Sequence, residues 1–555
     1  MRASSAAAQT LVAGLQVLCF CCTVRMAGNK AQEEVAASVK LDFAKNVKRN
    51  MAANALSSGI RLVFPFLNRT LFLWLLSPSF LGLNGLFSSI LGVLALAELG
   101  FGTAVVCSMY KPVADDDREL LCAYLKFYRT VYRCVGAAIF AIGLALLPFL
   151  DRLVHGTVPL GIDLHILYVI HLVNTAASYF LFAYRGVVLG AHHRNDVITN
   201  IRTVVSVAQY IAVFLILLVM RHFLGQPPAT VYYCYVLATV VFTVAQNVLL
   251  VAASRRLFPD IEPRGSLPAV MRRHVMGDVK SIFMHKVGGV VTHSTDNLVI
   301  SAFLGLVAVA AYGNYYYVVT SVSSLVAIFY SSMNGGFGNK IYTESKADNF
   351  RLLMRMNRLA MAAVLFCAAM MVALYQPFML LWVKGNPDLM RHSLTPLLMV
   401  LYFYIMQSRQ VLVSFKAAAS LWSQDRWKPI VAGSVNLCTN ILFVIFLPDA
   451  YKLDGVILST ILSFMFIQIP WETHVVFSEF FSRDEARLWW RSQISFALSA
   501  VALCVAACVA TRLVPLSGVF GLAVKGAVAF VVSAGVVAVL FREDVISIVR
   551  RRRGG

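Results

Sequence analysis

The chain has 555 residues, 59% of them hydrophobic and only 14% charged, with a mean hydropathy of +0.74. A water-soluble chain carries about a quarter charged residues, so this composition excludes an ordinary soluble protein. The formal net charge of +21 does not point to nucleic acid, because the basic residues sit in the gaps between apolar blocks and not on one polar face.

The apolar blocks are long enough to span a bilayer, which takes about 20 residues as helix. The short alternating segments of an outer-membrane barrel are absent. Most of the eleven cysteines lie inside apolar blocks, and none has zinc-ligand spacing to a histidine. Cys19, Cys21 and Cys22 read as hydrophobes, since Leu18 and Phe20 are not the small residue that precedes a lipidated cysteine.

Residues 1–51 are expected to form a cytoplasmic N-terminal segment. Its run Leu11–Val24 has the length of a signal-peptide core but no small-x-small cleavage site. Two readings stand: translation that begins at Met26, or a short membrane-surface helix over 1–25. Fourteen spans are then predicted, at roughly 52–76, 80–110, 121–150, 162–190, 197–221, 229–253, 277–304, 307–334, 353–382, 391–416, 428–448, 454–478, 493–512 and 518–541. The predicted fold class is an all-α polytopic membrane protein, with two six-helix lobes (52–253 and 277–478) and two C-terminal helices (493–541). The connector 254–276, with Pro259, Pro263, Gly265 and Pro268, reads as the inter-lobe linker. A cytoplasmic loop at 479–492 and a basic tail at 542–555 complete the chain. Alternate loops are rich in arginine and lysine, from Lys45, Lys48 and Arg49 to Arg550–Arg553, which places both termini in the cytoplasm.

A weak internal repeat relates the lobes. Phe80-Leu81-Gly82-Leu83 after span 1 matches Phe303-Leu304-Gly305-Leu306 after span 7, an offset of 223 residues. Asp196 between spans 4 and 5 matches Asp425 between spans 10 and 11, an offset of 229. An even number of helices per repeat gives both lobes one orientation, related by an axis along the membrane normal.

Charges inside the spans are expensive and usually face protein or a watery cavity. Span 1 carries Arg61 and Arg69, and its repeat mate span 7 carries Lys286, His293, Asp296 and Asn297. With Arg185, Arg202 and Arg409 these cations outnumber the carboxylates Glu98 and Asp296, a balance that suits an anion and phosphate in particular. Arginine near a helix end can instead snorkel to the headgroups, the open alternative for Arg129, Arg133, Arg355 and Arg358. Glu98 and Asp296 have two readings, coupling to H+ or Na+ or neutralising a nearby cation. Tyr315, Tyr316 and Tyr402 are candidates to stack on sugar rings, with packing as their ordinary alternative.

The stretch Arg69 to Pro112, with LGLNGLF, LAELGFG and a following YKP, resembles the second-helix signature of Wzx-type polysaccharide flippases in the MOP exporter superfamily. The resemblance continues through Ser294-Thr295-Asp296-Asn297, Lys416-Ala417-Ala418-Ala419, Asp425-Arg426-Trp427-Lys428-Pro429, Asn436-Leu437, Gly455-Val456 and Thr460, covering about Asn54 to Phe480. Family members often have glycine where Ala419 or Ser420 stands, and the last two helices are too bland to match. The resemblance implies a MOP fold working by alternating access without ATP, and no phosphate-binding loop sequence is present.

The family implies a flippase of the bacterial cytoplasmic membrane. It would move a polyprenyl-diphosphate-linked oligosaccharide to the outer leaflet for capsule, O-antigen or exopolysaccharide assembly. Its expected partners are that substrate, membrane lipids, glycosyltransferases and a polysaccharide polymerase; no cofactor beyond a coupling ion is expected. One alternative is a multidrug (MATE-type) or lipid II exporter of the same superfamily, although a pump for cationic drugs calls for more buried carboxylates than arginines. The other is a membrane enzyme, a polymerase or acyltransferase, which calls for a large external loop or an Asp/Glu/His cluster at one membrane face.

Overall fold

A computed structural model describes residues 59–60, 63–95, 101–156, 158–181, 183–341, 344–383, 386–419, 421 and 424–542. Of the residues singled out by the sequence, 1–25, Arg61, Glu98 and the tail from Arg550 lie outside the described residues, as do the side chains of Lys286 and His293.

The described chain is built of helices. The N-terminal lobe comprises α1 (Val63–Leu75), α2 (Pro78–Leu94), α3 (Phe101–Ala114), α4 (Arg118–Ala145), α5 (Leu164–Phe180), α6 (Gly186–Ala191), α7 (Asn195–Ile216) and α8 (Pro228–Leu257). The C-terminal lobe comprises α9 (Ala269–Leu304), α10 (Leu306–Lys340), α11 (Lys346–Trp382), α12 (Leu394–Ser408), α13 (Gln410–Ala418), α14 (Lys428–Phe446), α15 (Lys452–Ser463) and α16 (Ile469–Glu479). Two further helices follow, α17 (Arg483–Arg512) and α18 (Gly518–Leu540). Among the described residues nine helical segments are long and apolar enough to cross a membrane, and α1, α2 and α5 are shorter apolar helices. The terminal pair packs on α11, where Phe366 meets Phe530 edge-on at 5.4 Å.

Local signals set the helix starts. Asp117 caps α4 by accepting from the Leu120 N–H, and Asp163 caps α5 by accepting from His165 and Ile166. Ser482 and Glu485 form a reciprocal capping box at α17. Pro78 stands in the first turn of α2, where its missing N–H leaves no helical bond unmade.

The lobes meet along α2, which packs against both α9 and α10. Gly82 is essential to this approach, because a Cβ there would overlap the Leu306 carbonyl oxygen. The two Phe-Leu-Gly-Leu segments therefore abut. Gly305, at φ +86°, makes the turn between α9 and α10, and a Cβ on it would reach within 2.7 Å of the His155 carbonyl.

Hydrogen bonds across the same seam join Asn297 Nδ2 to Ser89 Oγ (2.9 Å), Ser301 Oγ to the Leu153 carbonyl (2.7 Å) and Trp382 Nε1 to Thr70 Oγ1 (2.8 Å). Asn386 Nδ2 adds a bond to the Leu73 carbonyl at 3.2 Å. These contacts lie toward the helix ends remote from the arginine-rich loops, so the lobes are tied together on the non-basic side.

Replacing Gly82 by Val should wedge the lobes apart at this seam. Overpacking of this kind costs about 1–3 kcal/mol, so the melting temperature of the purified protein should fall by several degrees. Gly535→Ala, inside α18 where a Cβ meets nothing within 4 Å, should not lower it.

Candidate functional site

Arg69, in the middle of α1, reaches across the seam. Its Nε donates to Asn314 Oδ1 at 2.5 Å, and its guanidinium lies 5.8 Å from the Tyr317 ring centre. Gly313 makes room, since a Cβ there would come within 2.9 Å of Arg69 Nη2. Among the described residues no carboxylate pairs with Arg69. An amide oxygen and an aromatic face hold the guanidinium in place without neutralising its charge.

Asp296 has the complementary environment. It is fully buried on α9, and its carboxylate accepts from Tyr312 Oη (3.1 Å), Asn440 Nδ2 (2.7 Å) and Thr460 Oγ1 (3.0 Å). Asn436 Nδ2 bonds Thr460 Oγ1 at 2.9 Å, and Ser459 bonds Asn440. The donors are neutral, drawn from α10, α14 and α15. The Asp296 carboxylate is thus held by neutral donors alone, without a counter-cation among these partners, which leaves its charge to be met by a proton or a small cation.

Deeper on the basic side of the C-terminal lobe, five charges form a buried chain. Arg409 grips Glu472 with two bonds, at 2.9 and 2.7 Å. Lys428 bonds the same carboxylate and lies 3.0 Å from Asp425, which also accepts from Lys416. Lys416, Asp425 and Glu472 are buried. Arg409 is thus tied to a carboxylate, which removes it as a freely available cation. The sequence reading passed over Glu472, although predicted span 454–478 contains it, so an intramembrane carboxylate was there to be read.

The N-terminal lobe holds a cavity of about 580 Å³, walled by α3 to α8 toward their basic ends. Arg202 of α7 lines it, together with the amides of Asn174, Gln246 and Asn247 and the tyrosines Tyr128 and Tyr132. Arg202 makes no ion pair among the described residues. The wall carries no carboxylate. Arg185, by contrast, is buried outside this wall and pairs with Glu262 of the linker at 2.5 Å.

The aromatic candidates pack closely. Tyr315 is fully buried, stacks on Tyr375 at 5.7 Å and accepts the Arg391 N–H at 3.2 Å. Tyr402 is also buried, with Tyr316 tilted against it at 6.0 Å, and Tyr316 stacks on Tyr312 at 5.7 Å. In this conformation Tyr315 and Tyr402 present no face to a sugar. Tyr316, half-buried, stands next to the residue that bonds Asp296. The structure thus gathers Asp296, Tyr316 and Tyr402 in one region, sets Arg69 at the seam and leaves Arg202 in a separate cavity.

No protein-family model matches the chain, and no curated protein matches it. Solved structures do share its fold. Lipid II flippase MurJ, in an inward closed conformation, matches over 89% of this chain and 99% of its own with a TM-score of 0.60 at 12% identity. A multidrug resistance MATE family transporter of the MOP superfamily, inward-facing, matches over 74% of this chain and 94% of its own with a TM-score of 0.52 at 14% identity. The chain shares the fold of these two solved structures, an all-α polytopic membrane architecture.

Breaking the ion chain should be costly. Asp425→Ala leaves Lys416 and Lys428 short of a buried counter-charge, and losses of this kind are about 3–5 kcal/mol. The unfolding midpoint in lipid nanodiscs should drop sharply, whereas Arg487→Ala, which removes an exposed pair with Asp484, should not move it.

Proposed function

We propose that this protein is a flippase that carries a polyprenyl-diphosphate-linked oligosaccharide across the bacterial cytoplasmic membrane by alternating access. The observation that carries this reading is Arg69. A cation held at the junction of two transporter lobes by an amide and an aromatic ring, with no carboxylate beside it among the described residues, is suited to a diphosphate through charge-assisted hydrogen bonds. The seam on the non-basic side corresponds to a state closed to the outside, in which the substrate would load from the cytoplasm. Wzx-type substrate choice rests on the sequence resemblance from Asn54 to Phe480. Lys286 and Arg61 are proposed as further lumen cations, and Glu98 as a second candidate for coupling or for neutralising a nearby cation.

Transport against a gradient needs a second ligand whose binding favours one state. Asp296 is proposed to bind that ligand, H+ or Na+. Its cage spans α9, α10, α14 and α15, and the neighbouring Asn297 bonds Ser89 across the seam. Occupancy of the cage is thereby linked to closure of the lobes.

Flipping of a fluorescent polyprenyl-diphosphate oligosaccharide in proteoliposomes, per inserted molecule, tests this. Arg69→Ala should weaken substrate binding by at least about tenfold, the loss of one charge-assisted bond, while Arg69→Lys retains part of it. Normal flipping by inserted Arg69→Ala protein would overturn the diphosphate role. Lipid II and a cationic drug, offered as competing cargo, separate the two exporter alternatives.

For Asp296→Asn, substrate should still bind, and the response of flipping to an imposed H+ or Na+ gradient should vanish. A gradient response equal to that of the unaltered protein would remove Asp296 from coupling.

A further inference from the structure

Resting on the flippase reading, we propose that the cavity inside the N-terminal lobe is the subsite for the carbohydrate part of the substrate, and that it takes an acidic sugar, a pyranose carrying one carboxylate. The volume of about 580 Å³ falls inside the range of roughly 300–1,000 Å³ common for small-molecule sites. Its wall selects the ligand chemistry. Asn174, Asn195, Gln246 and Asn247 bring four carboxamides to one cavity, each able to donate and to accept. The Asn174 Oδ1 atom is buried without a hydrogen-bond partner. That oxygen has almost no exposed surface here, so a ligand hydroxyl meets it once the Asn174 side chain turns toward the cavity, which would satisfy an acceptor otherwise costly to bury. Sugar hydroxyls donate and accept at the same atom, which matches a wall of amides better than an apolar or purely anionic ligand does.

Arg202 supplies the acidic preference. It lies about 10 Å along α7 from Asn195, at 1.5 Å per residue, and makes no ion pair among the described residues. With no carboxylate in the wall, a cationic ligand has nothing to attract it there. One guanidinium matches the single charge of a sugar carboxylate through a bidentate pair. Gly186 completes the site by leaving space, because a Cβ on it would meet nothing within 4 Å. The cavity walls belong to the N-terminal lobe alone, so a sugar held there would travel with that lobe.

The full chain in lipid nanodiscs is tested by saturation-transfer NMR with glucose and glucuronic acid, and with inorganic pyrophosphate as competitor. Both sugars should receive saturation, with glucuronic acid binding on the order of tenfold more tightly. Gly186→Leu, which projects a side chain into the cavity, should weaken both signals at an unchanged melting temperature. Arg202→Gln should bind glucose as before and lose the preference for glucuronic acid, which keeps the test open if the leucine variant unfolds. Absence of transfer to either sugar, or undiminished binding to folded Gly186→Leu protein, would overturn the subsite. Displacement of glucuronic acid by pyrophosphate at a lower concentration than the sugar itself would assign Arg202 to the diphosphate and overturn the acidic-sugar choice. Flipping is measured alongside. Flipping without sugar binding sinks the subsite and leaves the flippase reading intact, whereas sugar binding without flipping of any lipid-linked oligosaccharide sinks the flippase reading and leaves the site.

Discussion

Hydrocarbon offers no hydrogen bonds, so each polar group carried into the bilayer has to be satisfied by the protein itself or by water that the protein admits. The interior of this chain meets that constraint in four ways. Charges pair with charges in the chain Arg409–Glu472–Lys428–Asp425–Lys416. A carboxylate is met by neutral donors at Asp296. A guanidinium rests on an amide and a ring at Arg69. Arg202 stands in a cavity. In the first arrangement every charge has an opposite charge beside it, three cations sharing two carboxylates. The other three leave a charge that an incoming ion or anion can complete, and there the transport chemistry is proposed to reside.

The lobes divide this work unequally. Toward its basic end the C-terminal lobe carries the ion chain, and the N-terminal lobe carries the cavity with Arg202. Yet the positions matched by the internal repeat behave alike. Asp196 and Asp425 are both buried near the start of a helix, the first bonded to Arg194 and the second to Lys416 and Lys428. The two Phe-Leu-Gly-Leu segments lie against each other where Gly82 meets the Leu306 carbonyl. Elements related by a two-fold axis touch their own mates only near that axis, so the contact fits an axis passing close to this glycine.

The same seam links the two proposed ligands. α9 carries Asp296 facing into its own lobe and Asn297 bonding Ser89 of the other lobe. α10 carries Tyr312 on the Asp296 carboxylate and Asn314 on Arg69. Two helices would therefore link a cation at Asp296, where one is proposed to bind, to the place proposed for the anion. Each step is a direct hydrogen bond or one turn of helix, so the coupling needs no long chain of intermediaries.

Hydropathy, basic-loop asymmetry and the LGLNGLF and LAELGFG motifs were enough to establish an all-helical membrane fold and to point toward the MOP architecture, because helix spacing and membrane length are local properties of a chain. They also drew attention to Arg69, Asp296 and Arg202, since a charge inside an apolar run is visible without knowing its neighbours. The sequence could not say which charges are cancelled. Arg185 and Arg409 look like Arg202 in one dimension, and only the tertiary structure sets Glu262 beside the first and Glu472 beside the second. It likewise buried Tyr315 and Tyr402, which composition alone would offer to a sugar, and opened the amide-walled cavity of the N-terminal lobe. The reason is physical: burial and pairing depend on residues tens to hundreds of positions apart, and such distances leave no period in the sequence.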